Sequence, residues 1–257
     1  MTVQEPIKPQ IARVYDYVLG GTQNFEEDRK VAAAMMDVIP SYPTWARLNR
    51  RFLTLVAKRW LAEGQTAVLD LGSGLPTQGH FHTIMPDAKI LYSDYDTFCV
   101  SHGGELIAHL PNIKYVHGDL RNPQPLLQAA SEFFKDRRKV AIGFIGVPYF
   151  LTEDVIAQTA QLFYDWAAPG TVMALSFLSL EDTEEGRAFD LGLQESMKPM
   201  NMRIYFRPTE KMVELMKPWR MVDSKRLEIW LNDPEAITQE NSVNNALSMH
   251  GMLLVHD

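Results

Sequence analysis

The sequence predicts an α/β protein: a doubly wound, mostly parallel seven-stranded sheet beneath an N-terminal helical cover. Three observations carry this expectation. After Gly64, short apolar runs alternate with helix-compatible stretches, the pattern of a parallel sheet wrapped by helices. Those runs are rich in Val, Ile, Leu and Phe without strict alternation, as strands buried on both faces are. Before Gly64 the spacing is helical throughout.

In chain order, Asn24 is placed to cap a first long helix, with Glu27 three residues on as its capping-box partner, and the helix runs toward Asp37. Pro40 and Pro43 break it. A second helix puts Trp45, Leu48, Phe52, Leu55 and Val56 on one stripe and stops at Gly64. Strands are expected at Ala67–Leu71, Lys89–Ser93, Ile113–His117, Val140–Ile145 and Val172–Phe177. Helices are expected at Thr97–His109, Pro125–Phe134 and Glu153–Ala167, the last capped by Thr152. Helices near Glu184–Lys198 and Thr209–Lys217 then precede two final strands, Arg226–Leu231 and Met252–His256. No linker or repeat divides the chain, so residues 1–257 are expected to form a single domain, with 1–63 a lid or cover and 64–257 the core.

Composition narrows the function classes. Hydrophobic residues are 46% and charged residues 22%, enough for a substantial core. The net charge of −7 argues against a nucleic-acid backbone as partner, which needs a concentrated basic face. The densest basic run, Lys135 to Lys139, reads as the solvated end of a helix. A lone cysteine, Cys99, excludes an intrachain disulfide and points to a reducing, cytoplasmic setting. The first residues lack the basic and apolar regions of a signal peptide, and no window is long and apolar enough to span a membrane.

In a sheet of this kind ligands bind at the carboxyl ends of the strands. The first strand runs into Gly72-Ser73-Gly74, where glycines let a ligand approach the backbone, and Asp70 beside them can accept from an amine or hydroxyl. The second strand ends in Asp94-Tyr95-Asp96, where an acid is placed to accept from a ribose diol. The third ends in Gly118-Asp119-Leu120, a third acid in register with the other two. A dinucleotide site wants a third glycine opening a helix toward a pyrophosphate, yet that position holds Thr77, and Asp70 would face the anion. S-adenosylmethionine carries an ammonium and a sulfonium, so an acid beside the turn is an asset. The pattern favours S-adenosylmethionine over nicotinamide.

The run Asp70-Leu71-Gly72-Ser73-Gly74 resembles the first motif of class I S-adenosylmethionine-dependent methyltransferases. Its extension Leu75-Pro76-Thr77-Gln78-Gly79, the stretch Ala12 to Gly21 with Asn24-Phe25 and Asp28-Arg29, and Asn49-Arg50-Arg51-Phe52-Leu53 are similar to the S-adenosyl methyltransferase family common in actinobacteria, formerly a domain of unknown function. The likeness spans Ile11 to Asn122. It implies a Rossmann-like methyltransferase fold, with Asp70, Gly72 and Gly74 against the methionine portion, Asp94 on the ribose hydroxyls and Asp119 near the adenine amino group. Ser73, Tyr95 and Leu120 join them as expected cofactor contacts. Two departures stand out: the stretch from His82 to Pro86-Asp87-Ala88 is short, so a truncated or distorted first crossover helix is expected, and Gly146-Val147-Pro148-Tyr149 differs from the family's histidine-containing version.

The N-terminal segment is expected to close over the cofactor, with Tyr15 or Tyr17 touching the ligands and the paired Gly20 and Gly21 supplying the bend. His82 and Tyr149 are the candidate catalytic residues; His82 would act as a base if the nucleophile were a hydroxyl. No His and acid spacing suggests a metal. Late methionines, Met197, Met200 and Met202, are candidates for an adaptable apolar pocket. The expected function is methyl transfer from S-adenosylmethionine, released as S-adenosylhomocysteine, to oxygen or nitrogen of a small molecule, with a role in secondary metabolism in view. The competing enzyme is a nicotinamide-dependent oxidoreductase, and the competing class is a non-catalytic S-adenosylmethionine- or nucleotide-binding regulatory protein. Oligomeric state is left open, a homodimer included.

Overall fold

The computed structural model of the protein describes residues 8–135, 137–233 and 247–257. Three helices lead the chain: α1 (Ile11–Val18), α2 (Glu26–Val38) and α3 (Tyr42–Ala62). There follow β1 (Ala67–Leu71), α4 (Phe81–Ile84), β2 (Lys89–Asp94), α5 (Thr97–Ile107), β3 (Ile113–His117), α6 (Gln124–Phe134) and β4 (Ala141–Phe144). A 3₁₀ turn at Pro148–Phe150 leads to α7 (Glu153–Trp166) and β5 (Val172–Leu180). Then come α8 (Glu184–Met197), α9 (Thr209–Leu215), β6 (Arg220–Arg226), α10 (Leu227–Trp230) and β7 (Leu247–Val255).

Among the described residues the sheet has seven strands in the order β3-β2-β1-β4-β5-β7-β6. The first five are parallel, and β7 runs antiparallel to both of its neighbours. Strand order reverses between β1 and β4, which opens the crevice at their carboxyl ends. Both faces are covered, which explains the apolar texture of β1 outside Asp70: Val68 joins the core under α1, α2, α3 and α5, while Leu69 and Leu71 join that of α6, α7 and α9.

Local chemistry corrects several boundaries. The cap of α2 is Phe25, whose N–H donates to Asp28 at 2.8 Å, while Asn24 turns back to Asp16 and Gly21. Asp28 also takes Arg13 at 2.8 Å, and burial of both groups makes this pair the stronger organiser of the turn. Pro43 lies in the first turn of α3, where a missing N–H is harmless, so it starts that helix. On α3 the expected stripe is buried except for Leu55. Thr152 occupies the cap position of α7 without a side-chain cap bond.

The largest correction is at the expected strand Arg226–Leu231. Its apolar residues fold instead as α10, with Leu227 fully buried against Gly251 and Trp230 donating to Gly251 O at 2.9 Å. The strand lies earlier, at β6, whose mostly exposed residues carry no apolar signature. β7 begins at Leu247, five residues before Met252, because it pairs with all nine residues of β5. As expected, the first crossover helix is truncated: α4 has four residues.

Candidate active site

A cleft of about 700 Å³ opens at the carboxyl ends of the parallel strands. It is lined by Tyr15, Asp70, Gly72, Ser73, Gly74, Asp94, Tyr95, Asp119, Leu120 and Tyr149, ten of the sequence-predicted site residues.

The glycine turn is held by its neighbours. Gly72 and Gly74 have φ of +68° and +63°, a left-handed geometry that costs a side-chain-bearing residue about 1–2 kcal/mol. A Cβ on Gly72 would also sit 2.5 Å from Val147 Cγ2. Ser73 N–H donates to Ser93 O at 2.8 Å, and the Ser73 and Ser93 hydroxyls both donate to Asp70 O. Asp94 accepts the Gly74 N–H at 2.9 Å and the Asp96 N–H at 3.0 Å. The ends of β1 and β2 are thereby locked together.

The carboxylates differ in environment. Burial pushes the Asp70 carboxyl up to about 7, against a hydrogen bond from Ser73 and the charge of Arg50. Burial also raises Asp94, to about 6, opposed by the backbone N–H groups of Asp96 and Gly74. Asp119 is held below the usual carboxylate range by the guanidinium of Arg121, which grips both its oxygens at 2.7–3.0 Å. Arg121 in turn lies over the Tyr95 ring.

Three predicted site residues do not line the cleft. His82 sits on α4 behind β2, its Nδ1 2.9 Å from the Tyr92 hydroxyl, so the ring is spent on a core contact and is not placed to serve as a base there. Gly20 and Gly21 lie in the turn after α1. Gly20 needs its φ of +82°, and a Cβ on Gly21 would fall 2.2 Å from an Asp16 oxygen. These glycines make room for Asp16, which lines the cleft in their stead and accepts from Gln23 N, Asn24 Nδ2 and Thr77 Oγ1 at 2.7–3.1 Å. Tyr17 is likewise absent from the lining.

Sequence reasoning also missed Asn49 and Arg50, which α3 brings into the cleft. Both lie in a run the family resemblance rests on, but helical spacing alone does not say which polar side chains turn inward. Arg50 points Nη1 at the His80 ring, lies 5.5 Å from the Tyr15 ring centroid, and keeps a buried Nε without a hydrogen-bond partner. His80 is 1% exposed and braces the glycine turn through contacts to Ser73 O and Gln78 O. Among the late methionines, Met200 and Met202 line the cleft and Met197 is buried in the core.

This strand order, with a reversed seventh strand and acids at successive strand ends, defines the class I S-adenosylmethionine-dependent methyltransferases. The chain belongs to the S-adenosyl methyltransferase family, whose model matches residues 4–254. It is similar to the crystal structure of a Thermobifida fusca protein assigned as a methyltransferase, at 28% identity and a TM-score of 0.82, over 97% of this chain and 96% of that one. A DUF574 family protein from Streptomyces avermitilis shares the fold at 20% identity and a TM-score of 0.78, over 97% and 98% of the two chains. So does the 1,6-didemethyltoxoflavin-N1-methyltransferase of Burkholderia thailandensis, whose structure holds its substrate and S-adenosylhomocysteine, at 12% identity and 0.53 over 89% of each chain. No curated protein matches the chain in sequence. The protein is thus an S-adenosylmethionine-dependent methyltransferase. Among the described residues no helix is long and apolar enough to cross a membrane.

Proposed function

We propose that the protein binds S-adenosylmethionine at the ends of β1, β2 and β3 and methylates a small molecule held beside it. The observation that carries this reading is the pairing, across the glycine turn, of a buried acid with a cation whose buried Nε has no hydrogen-bond partner. Asp70 suits an ammonium, and the orphaned Nε of Arg50 suits a carboxylate, so the two ends of an amino-acid group are matched. Asp94 would take the ribose hydroxyls, with Asp119, Leu120 and Tyr95 around the base. When bound, the cofactor supplies a methyl carbon on a positively charged sulfur.

A pyrophosphate suits this site poorly. Asp16, Asp70, Asp94, Asp96 and Asp119 all line the cleft, and the turn leads to a four-residue helix that starts only at Phe81. The chain's own contribution is placement. With no histidine lining the cleft among the described residues, the residues work by aligning two reactants and excluding water. Residues 11–25 act as the lid in this reading: Asp16 is bonded to Thr77 just past the glycine turn, and the Tyr15 hydroxyl ties α1 to Ala46 O at 2.9 Å.

Calorimetry tests the reading. S-adenosylmethionine and S-adenosylhomocysteine should bind in the micromolar range and nicotinamide dinucleotides should not. Tight binding of a dinucleotide would overturn it.

A further inference from the structure

The cleft has two chemically distinct halves, and the second says what it can accept. We infer that it takes a flat aromatic molecule through an ionised ring oxygen, a phenol or enol bound as its anion; this rests on the methyl-transfer reading above.

The half away from the glycine turn is built from α2, α3, β5, α8, residues 198–206 and the start of β7. Met35, Trp45, Met200, Met202, Phe206 and Met249 line it. Thioethers and aromatic faces adapt to a flat apolar body and offer little to a sugar or peptide. Its polar atoms are few. The Tyr15 hydroxyl is committed to Ala46 O, while those of Tyr42 and Tyr149 have no hydrogen-bond partner among the described residues. Tyr149 is only 7% exposed and lines the cleft, so its phenol is a donor in the wall of this half. Burial pushes both phenols up, so each keeps its proton and acts as a donor.

The charges separate in the same way. All five acids lining the cleft lie on α1 or at the ends of β1, β2 and β3. The charged residues that line the other half are Lys198 and Arg203. Lys198 is tied to Glu195, and Arg203 lies over the Tyr205 ring with no acidic partner among the described residues. An ammonium acceptor would meet no carboxylate there, and a neutral alcohol would meet no base. An anion meets two phenol donors and a positive rim.

Such an acceptor also balances without a base. The oxygen lone pair forms the new bond to the methyl carbon, the carbon–sulfur pair stays on sulfur, and both charges disappear with no proton left over. Cancelling opposite charges is favoured in an apolar half-site, whereas transfer to a neutral amine only moves the positive charge from sulfur to nitrogen.

The test uses the full chain saturated with S-adenosylhomocysteine and titrated with hydroxynaphthoquinone, whose visible spectrum distinguishes its neutral and ionised forms. Naphthol and naphthylamine serve as comparison probes. The expected result is binding as the anion, with the apparent enol pKa lowered by about one unit, a tenfold preference for the ionised form. Tyr149→Phe should keep wild-type affinity for S-adenosylhomocysteine and lose about tenfold in affinity for the anion. With S-adenosylmethionine the quinone should be converted to its methyl ether. Binding of the neutral form, or preferential binding and methylation of naphthylamine, overturns the inference. Failure of every aromatic probe to bind while S-adenosylhomocysteine does also overturns it and leaves the cofactor reading standing. If S-adenosylhomocysteine itself does not bind, both fall together.

Discussion

The two halves of the cleft are built by opposite means. The half at β1, β2 and β3 consists of short loops braced by their own backbone groups: the Gly74 and Asp96 amides hold Asp94, and Ser73 N–H donates to Ser93 O. The other half has little such bracing and is assembled from apolar side chains on six elements far apart in the chain. A ligand of constant chemistry can be served by local motifs, whereas a pocket made of scattered side chains can change its occupant by point substitution without disturbing the loops. The contrast predicts that the halves will respond independently to mutation.

The largest effect is expected from Asp94→Asn. An amide cannot accept from both the Gly74 and Asp96 N–H groups and also serve a ribose, so cofactor affinity should fall by about 1–3 kcal/mol. Calorimetry with S-adenosylhomocysteine reads this directly; affinity within twofold of wild type would break the assignment of this half. Acidity is the next lever. Asp70 and Asp94 ordinarily titrate near 3.8 but do so at about 7 and about 6 in the folded chain. The folded state therefore holds protons that the unfolded state has released. Its stability should decline as pH rises from about 4 to 7, the loss being complete once the folded-state values are passed. A cationic ligand offsets that loss, so the rise in Tm caused by S-adenosylmethionine should be larger above neutrality than at about pH 5. An equal rise at both would mean that Asp70 does not meet the cation.

Met200→Ala combined with Met202→Ala should alter which aromatic probes bind while leaving S-adenosylhomocysteine affinity within about twofold, at a stability cost of at most about 2 kcal/mol for two half-buried side chains. A matching loss of cofactor affinity would show the halves to be coupled. The smallest effect belongs to Gly20→Ala. Its positive φ costs about 1 kcal/mol, but open space surrounds the site, so binding at either half should be unchanged. Gly21→Ala, which must displace Asp16, should be clearly worse in the same melting assay. Amide exchange adds a sharper probe of the cover: residues 11–25 should gain protection with S-adenosylhomocysteine together with the glycine turn.

The same contrast explains what the sequence disclosed. Ala67–Leu71 was legible to the residue because a strand buried at every position carries a dense apolar run closed by glycine, and Ile113–His117, a half-exposed edge strand, because its β-branched and aromatic residues are closed by Gly118. The acids were legible because each stands within two residues of a strand's carboxyl end: Asp70 inside β1, Asp94 closing β2 and Asp119 just past β3. Arg226–Leu231 misled because its apolar residues serve a single helical turn packed on Gly251, while the true strand beside it is an exposed edge. Gly20 supplies the expected bend at a positive φ, whereas the room Gly21 leaves for Asp16 shows only in the folded turn. His82 failed because α4 is so short that its second residue faces Tyr92. Arg50 and Asn49 were hidden by helical spacing, which does not reveal which polar residues point inward.

The position of β7 also shapes how the chain reaches this state. Both β5 and β6 hydrogen-bond to β7, and both precede it in the chain. As the chain emerges during synthesis, β5 must therefore wait with one long, apolar edge unpaired, and β6 has no neighbour in the sheet. Contacts of this span are slow to close, and an open edge is a template for other chains. The vulnerable species for this protein is then a folding intermediate with β1 to β5 assembled and β7 still undocked. Substitutions that delay β7, such as a proline at Met252 or Leu253, should show themselves first as aggregation during expression, before any change in the cleft is felt.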